Sequence, residues 1–252
     1  MRATRFLFSF WLLVTACAWA QSSGSAAKPA ADYSEQSFVR ELVSESYRFE
    51  DDGTDRRQTN GRIKINGESA VQRFGQLKVG YSALSDKLEI TYVRVVKPDG
   101  TIINAPESGM QDVTYPNALM YSDYHEKHIS VPSLRPGDVL EYQFVRSTVD
   151  PLTPGQFWTS YDFNDRDIVL DERLEINVPK GRSVTLKNEP GFEPKITDEG
   201  DRRVYRWTQS HLVDEDGDSS AKVHKAKKRD DDKVPSVQMT TFQSWQQVGE
   251  WY

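Results

Sequence analysis

Cysteine is almost missing from this sequence: Cys17 is the only one in 252 residues. It lies inside a segment with the plan of a secretory signal peptide. Arg2 and Arg5 open it, an apolar run fills residues 6–16, and Ala18 and Ala20 occupy the two positions a signal peptidase reads. Cleavage between Ala20 and Gln21 leaves a mature chain without a thiol, which excludes a disulfide, a thiolate-held metal and a cysteine nucleophile. A competing reading keeps Cys17, because Val14, Thr15 and Ala16 before it loosely match a lipobox, which would make this cysteine a lipid anchor. Long apolar runs are lacking as well: the segment over 6–16 falls short of the roughly 20 residues a membrane helix needs. There is no basic excess. The formal charge is −6, and once Arg2 and Arg5 are removed 30 basic side chains face 38 acidic ones, which argues against a nucleic-acid surface. No serine sits in a glycine-flanked elbow, so a serine nucleophile has no local signature.

What is abundant is aromatic residues and punctuated strands. Six Trp, eleven Tyr and eleven Phe favour a β-rich fold. The segment over 128–146 organises the rest. Ile129 and Val131 alternate with polar neighbours, Pro132 and Pro136 with Gly137 force a turn, and residues 139–145 resume in strand formers, so the stretch reads as a hairpin. In its second arm Leu140, Tyr142 and Phe144 share one face. A second hairpin is expected around Gly53, with a helical alternative for residues 38–47. A short helix over 68–74 and strands over 76–81, 87–97, 156–163, 168–178 and 203–208 follow, and a tight turn at Pro98, Asp99 and Gly100 sends the chain back at Ile102. Residues 214–233 alternate acidic and basic blocks and read as a mobile surface loop. Residues 234–242 read as extended, and Ser244 is placed to cap a helix whose stripe is Trp245, Val248, Trp251 and Tyr252. The expected class is mainly β: an antiparallel β-sandwich-like domain with one short helix and the start of a C-terminal linker helix. The expected division is a signal peptide over 1–20, a flexible leader over 21–34, a β-rich domain over 35–234, and a linker with a helix start over 235–252.

Several of these patterns, taken in order, resemble a known arrangement. Residues 95–102, residues 133–144 with their Gly137-Asp138 turn, the strand ending in Asn177, Val178 and Pro179, and the closing run 235–252 resemble a bacterial domain of unknown function. That domain stands directly in front of a transglutaminase-like core in secreted proteins. The resemblance implies that the segment like 241–252 leads into a papain-like core carrying a Cys, His and Asp triad. The sequence ends before such a core, so no residue here is expected to inherit a catalytic role.

His125 and His128 have the HxxH spacing found in metal sites, with Asp123, Glu126 and Asp138 as further ligands. On a strand, however, residues three apart point to opposite faces. Asp214, Asp216 and Asp218 match the first positions of a calcium loop, but Ser219 stands where glycine is needed and Lys225 where a bidentate glutamate is needed. Asp162 with Asp165, and Asp171 with Glu172, are acid pairs of a kind expected by chance among 38 carboxylates. Trp158, Tyr161 and Phe163 could stack on a sugar or could pack a core. No catalytic, cofactor or metal residue is therefore expected. The chain reads as a non-catalytic exported β module, periplasmic or extracellular, that supports or presents substrate to a transglutaminase-like core. The alternative is a free-standing module that binds a peptide or glycan.

Overall fold

The computed structural model describes residues 32–114, 123–212 and 234–251. The expected signal peptide, Cys17, most of the leader, the calcium-like loop and Tyr252 lie outside these residues. Among the described residues no helix is long and apolar enough to cross a membrane.

The fold is mainly β, as the punctuated strands imply. Its centre is an eight-stranded sheet. The long hairpin of β1 (Phe38–Phe49) and β2 (Asp55–Ile65) turns at Gly53, whose φ of 92° suits glycine. The helical alternative for this segment is thereby set aside. Helix α1 (Glu68–Phe74) and β3 (Gln76–Ser82) follow, then β4 (Asp86–Val96) and β5 (Ile102–Asn104), paired across the Pro98–Gly100 turn. The middle of the chain supplies β6 (Met110–Thr114), β7 (Tyr124–Ser130), β8 (Val139–Thr148), β9 (Trp158–Tyr161) and β10 (Val169–Pro179). The last strands are β11 (Thr185–Asn188), β12 (Lys195–Glu199), β13 (Arg202–His211) and β14 (Val237–Thr240), before helix α2 (Trp245–Trp251). The large sheet runs β12-β13-β10-β1-β2-β8-β4-β5, and two three-stranded sheets run β11-β14-β9 and β3-β7-β6.

Both hydrophobic cores lie on one face of the large sheet. Tyr47 on β1 sits opposite Ile176 and Arg57, and Arg57 opposite Arg146, so their side chains share a face with Ile63, which lies six residues on from Arg57. Towards β13 that face carries Tyr47, Phe49, Leu174, Ile176, Tyr205 and Trp207, which meet Val237 and Met239 of β14. Towards β4 it carries Ile63, Val93, Val95, Leu140 and Phe144, which meet α1 and Ile129 of β7.

Three expectations need correction. The strands over 124–130 and 139–148 both form, but they do not pair: β7 joins β3 and β6, whereas β8 joins β2 and β4. The prolines and Gly137 do turn the chain. Val131 and Leu134 are buried in the aliphatic core, however, so the connection crosses from one layer to the other instead of closing a hairpin. Second, β1 and β10 pair in parallel, so the sandwich is not wholly antiparallel. Third, residues 235–242 are not a linker. β14 is the central strand of its sheet, and Val237 is fully buried. Beyond it Ser244 caps α2 as expected, its Oγ accepting from the Gln247 N–H at 3.2 Å.

Candidate functional site

Between the two cores the inner face of the sheet turns polar. One row across it reads Ile176, Tyr47, Arg57, Arg146, Leu88, and the next reads Leu174, Glu45, Thr59, Phe144, Ile90. A cleft of about 320 Å³ opens over this seam. Its floor is Arg57 and Thr59 of β2 with Tyr142, Phe144 and Arg146 of β8, and its wall is Leu77 to Gly80 of β3. Gly61 makes room for the Tyr142 ring, which lies where a Cβ would stand. Burial holds the Tyr142 hydroxyl protonated, raising it above the usual phenol range.

The seam's charges are partly matched from beneath. Arg57 lies over the Tyr47 ring at 5.1 Å and reaches the buried Glu45 at 2.6 Å. Burial, and then the Glu45 charge, push the Tyr47 phenol up. Arg146 is less well served: its Nε is shut from solvent with no hydrogen bond among the described residues, and the Asp86 carboxylate stands 3.8 Å away. Burial raises the neighbouring Asp55 carboxyl despite a hydrogen bond from Thr148 and the Arg146 charge. The seam can therefore hold an anionic or hydrogen-bonding ligand.

The residues singled out in the sequence do not converge. His125 bonds Asp112 at 3.0 Å through Nδ1, whereas His128 bonds Glu126 at 2.9 Å through Nε2, on the other face of β7. Asp123 accepts from the Ser82 hydroxyl, and Asp138 accepts from Lys97 at 2.7 Å. No group of three metal-binding side chains occurs among the described residues. Glu172 is buried and accepts from the Tyr161 hydroxyl at 2.8 Å and the Asn164 N–H at 3.0 Å, and burial raises its carboxyl. Asp171, its neighbour on the strand, turns to the other face and pairs with Arg173. Asp162 accepts from the Ser236 N–H at 3.0 Å, tying β14's approach to the body. The aromatic platform is split: Phe163 is buried and stacks on Phe192 at 5.1 Å, while Trp158 on β9 is half exposed.

Sequence reasoning missed Arg57, Thr59, Lys78 and Arg146. The signal for one of them was present, since the alternation of Leu140, Tyr142 and Phe144 continues to Arg146. Nothing local marks Arg57, because β8, which sets Arg146 beside it, lies far along the chain.

Residues 51–214 match the family model described as "Domain of Unknown Function with solved-structure structure (DUF3857)". The chain belongs to the DUF3857 family. No curated protein matches this DUF3857 chain. Among solved structures, the fold is similar to that of a protein from Parabacteroides distasonis ATCC 8503, provisionally described as a protease. That likeness has a TM-score of 0.70 at 16% identity and covers 82% of this chain and 41% of the other. The DUF3857 chain thus spans well under half the length of that structure. An M1 zinc metallopeptidase from Deinococcus radiodurans aligns over 82% of this chain and 42% of its own at 9% identity with a TM-score of 0.38. Yeast LTA4 hydrolase aligns over 85% and 31% at 13% identity with a TM-score of 0.37. These two likenesses are too weak to carry an argument about the fold.

Proposed function

We propose that this DUF3857 chain is a non-catalytic β module, exported from the cell, that supports or presents substrate to a transglutaminase-like or cysteine-protease-like core. One observation carries the reading: a fold matching 82% of this chain accounts for only 41% of a larger protein described as a protease. The fold thus recurs as a part, with most of that protein's length outside it. The lone cysteine of this chain lies in the expected signal peptide, which agrees with a supporting role. A second reading, a free-standing extracytoplasmic module for a peptide, draws support from the cleft beside β3. A glycan platform loses its support, because Phe163 is buried in the core. Expressing residues 21–252 and assaying amide hydrolysis and amine transfer is expected to give no turnover above background. Robust turnover would end the non-catalytic reading.

A further inference from the structure

Strand β3 is the outermost strand of its sheet, with β7 on one side and the cleft on the other. Residues facing each other across an antiparallel pair alternate between those that bond to the partner and those that bond outward. The phase here is fixed at both ends. The Gly75 carbonyl accepts from the Val131 N–H, and the Ala83 N–H donates to the Asp123 carbonyl, so the odd-numbered residues of this strand bond to β7. The Ser82 N–H instead turns away and donates to the Asp86 carboxylate at 3.2 Å. It follows that Lys78 and Gly80 direct their N–H and C=O groups away from β7, towards the cleft that both residues line. Neither residue makes a backbone hydrogen bond on that side among the described residues. Gly80 adds no side chain to the edge, and the space its Cβ would take is held by the Tyr124 hydroxyl.

An unpaired edge is a template for another strand, and proteins commonly blunt such edges with lysine. Lys78 does so for general pairing, but its charge favours a partner of opposite sign. The floor adds Arg57 and Arg146, about one-third exposed along their side chains, and among the described residues no carboxylate lines the cleft. Glu45 already answers Arg57, and Asp86 answers Arg146 only at 3.8 Å with no hydrogen bond to Nε, so the least matched positive charge of the cleft belongs to Lys78 and Arg146. We propose that the free edge of β3 takes up an extended acidic peptide segment as a fourth strand, its inward-facing carboxylates directed at Arg146 while Lys78 adds positive charge at the edge. The proposal rests on the presentation reading above and gives the presented segment a chemistry. Alternating donors and acceptors along Lys78 and Gly80 match a peptide backbone, which a nucleic acid lacks. A volume near 320 Å³ lies at the low end of ligand pockets, roughly 300–1,000 Å³, and suits a short stretch of chain.

The test uses the full chain with two probes, an alternating valine–glutamate hexapeptide and its valine–lysine counterpart. The glutamate peptide is expected to bind about tenfold or more tightly than the lysine one at low salt, and Arg146→Gln to weaken it about tenfold. Amide exchange read by NMR on the unaltered chain needs no variant. Saturating glutamate peptide should slow exchange at Lys78 and Gly80 by about tenfold or more, while Leu77 and Val79, already bonded to β7, change little. Equal binding of the two peptides would overturn the proposal. So would charge-dependent binding that leaves exchange at Lys78 and Gly80 unchanged, since that is anion attraction without a new strand. Preference for a single-stranded oligonucleotide over the glutamate peptide would overturn it too. Turnover of amide substrates by the isolated chain would sink the presentation reading and leave strand addition standing, so the two failures are distinguishable.

Discussion

The aromatic core under β13, β10 and β1 and the aliphatic core under β2, β8 and β4 rest on one sheet, yet they draw their covers from very different lengths of chain. In the aromatic half Phe49 stacks on Phe157 at 4.2 Å, and the cover is completed by β14, some 190 residues after Phe49. The closing bonds are equally distant: Phe157 N–H donates to Thr241 Oγ1 at 2.9 Å, and Thr241 N–H returns to the Phe157 carbonyl at 3.0 Å, 84 residues apart. The aliphatic half is assembled mainly from residues 63–144, with α1 following β2 directly and Phe74 set edge-on to Phe38 at 4.9 Å. Non-local closure costs loop entropy before its contacts form, so the aromatic half depends on the end of the chain in a way its neighbour does not.

The sharpest way to break this comparison is to remove residues 235–252. That strips the central strand from β9 and β11 and removes Val237 and Met239, each contributing about 1.5–3 kcal/mol by burial. Together that is about 3–6 kcal/mol, enough to reach the low end of a typical domain's margin of about 5–15 kcal/mol. Urea unfolding should show a collapse of the midpoint, with the near-ultraviolet circular dichroism of Tyr205 and Trp207 lost first. The counterpart, Ile129→Ala, should cost about 2–5 kcal/mol in the other half and leave that aromatic signal intact. An unchanged midpoint for the truncation would show that the aromatic half holds without its cover.

A smaller effect separates the halves by pH. On the β3-β7-β6 sheet, burial opposes ionisation of Asp112, but hydrogen bonds from Tyr81, Lys127 and His125 prevail and hold its carboxyl down at about 2, below the ordinary 3.8. A folded-state value below the unfolded one contributes stability above about pH 4, and that contribution is lost as pH falls through about 2. Asp112→Asn should therefore lower the melting temperature near neutrality, and the gap to the parent should close by pH 2. A gap that stays constant across this range would place the residue's role in packing.

The smallest effect is expected from the tail that follows β14. Trp245 is 88% exposed. Deleting residues 243–252 should shift the melting temperature by less than about 2 °C while reducing self-association in sedimentation. A large fall would mean that α2 belongs to the core.

These expectations also show how far the sequence could be read. The strands, the turns at Gly53, Gly100 and Gly137, the short helix and the Ser244 cap are local matters of propensity, φ and side-chain spacing, and the sequence carries them. The opposite faces of His125 and His128 follow from strand geometry alone. Partnership does not. Whether the strands beside Pro132 and Pro136 pair with each other or part to two layers depends on where Val131 and Leu134 find apolar surface, and that surface is supplied by α1, β2 and β4.

The candidate site shows the same division. Alternation along β8 fixed that Tyr142, Phe144 and Arg146 point one way, because successive side chains on a strand must alternate. Only the tertiary structure brought Arg57 opposite Arg146 across 89 positions of sequence and set the unpaired edge of β3 above them. Strand order is chosen by burial of whole faces, a property of the assembled layers that no single stretch of residues contains.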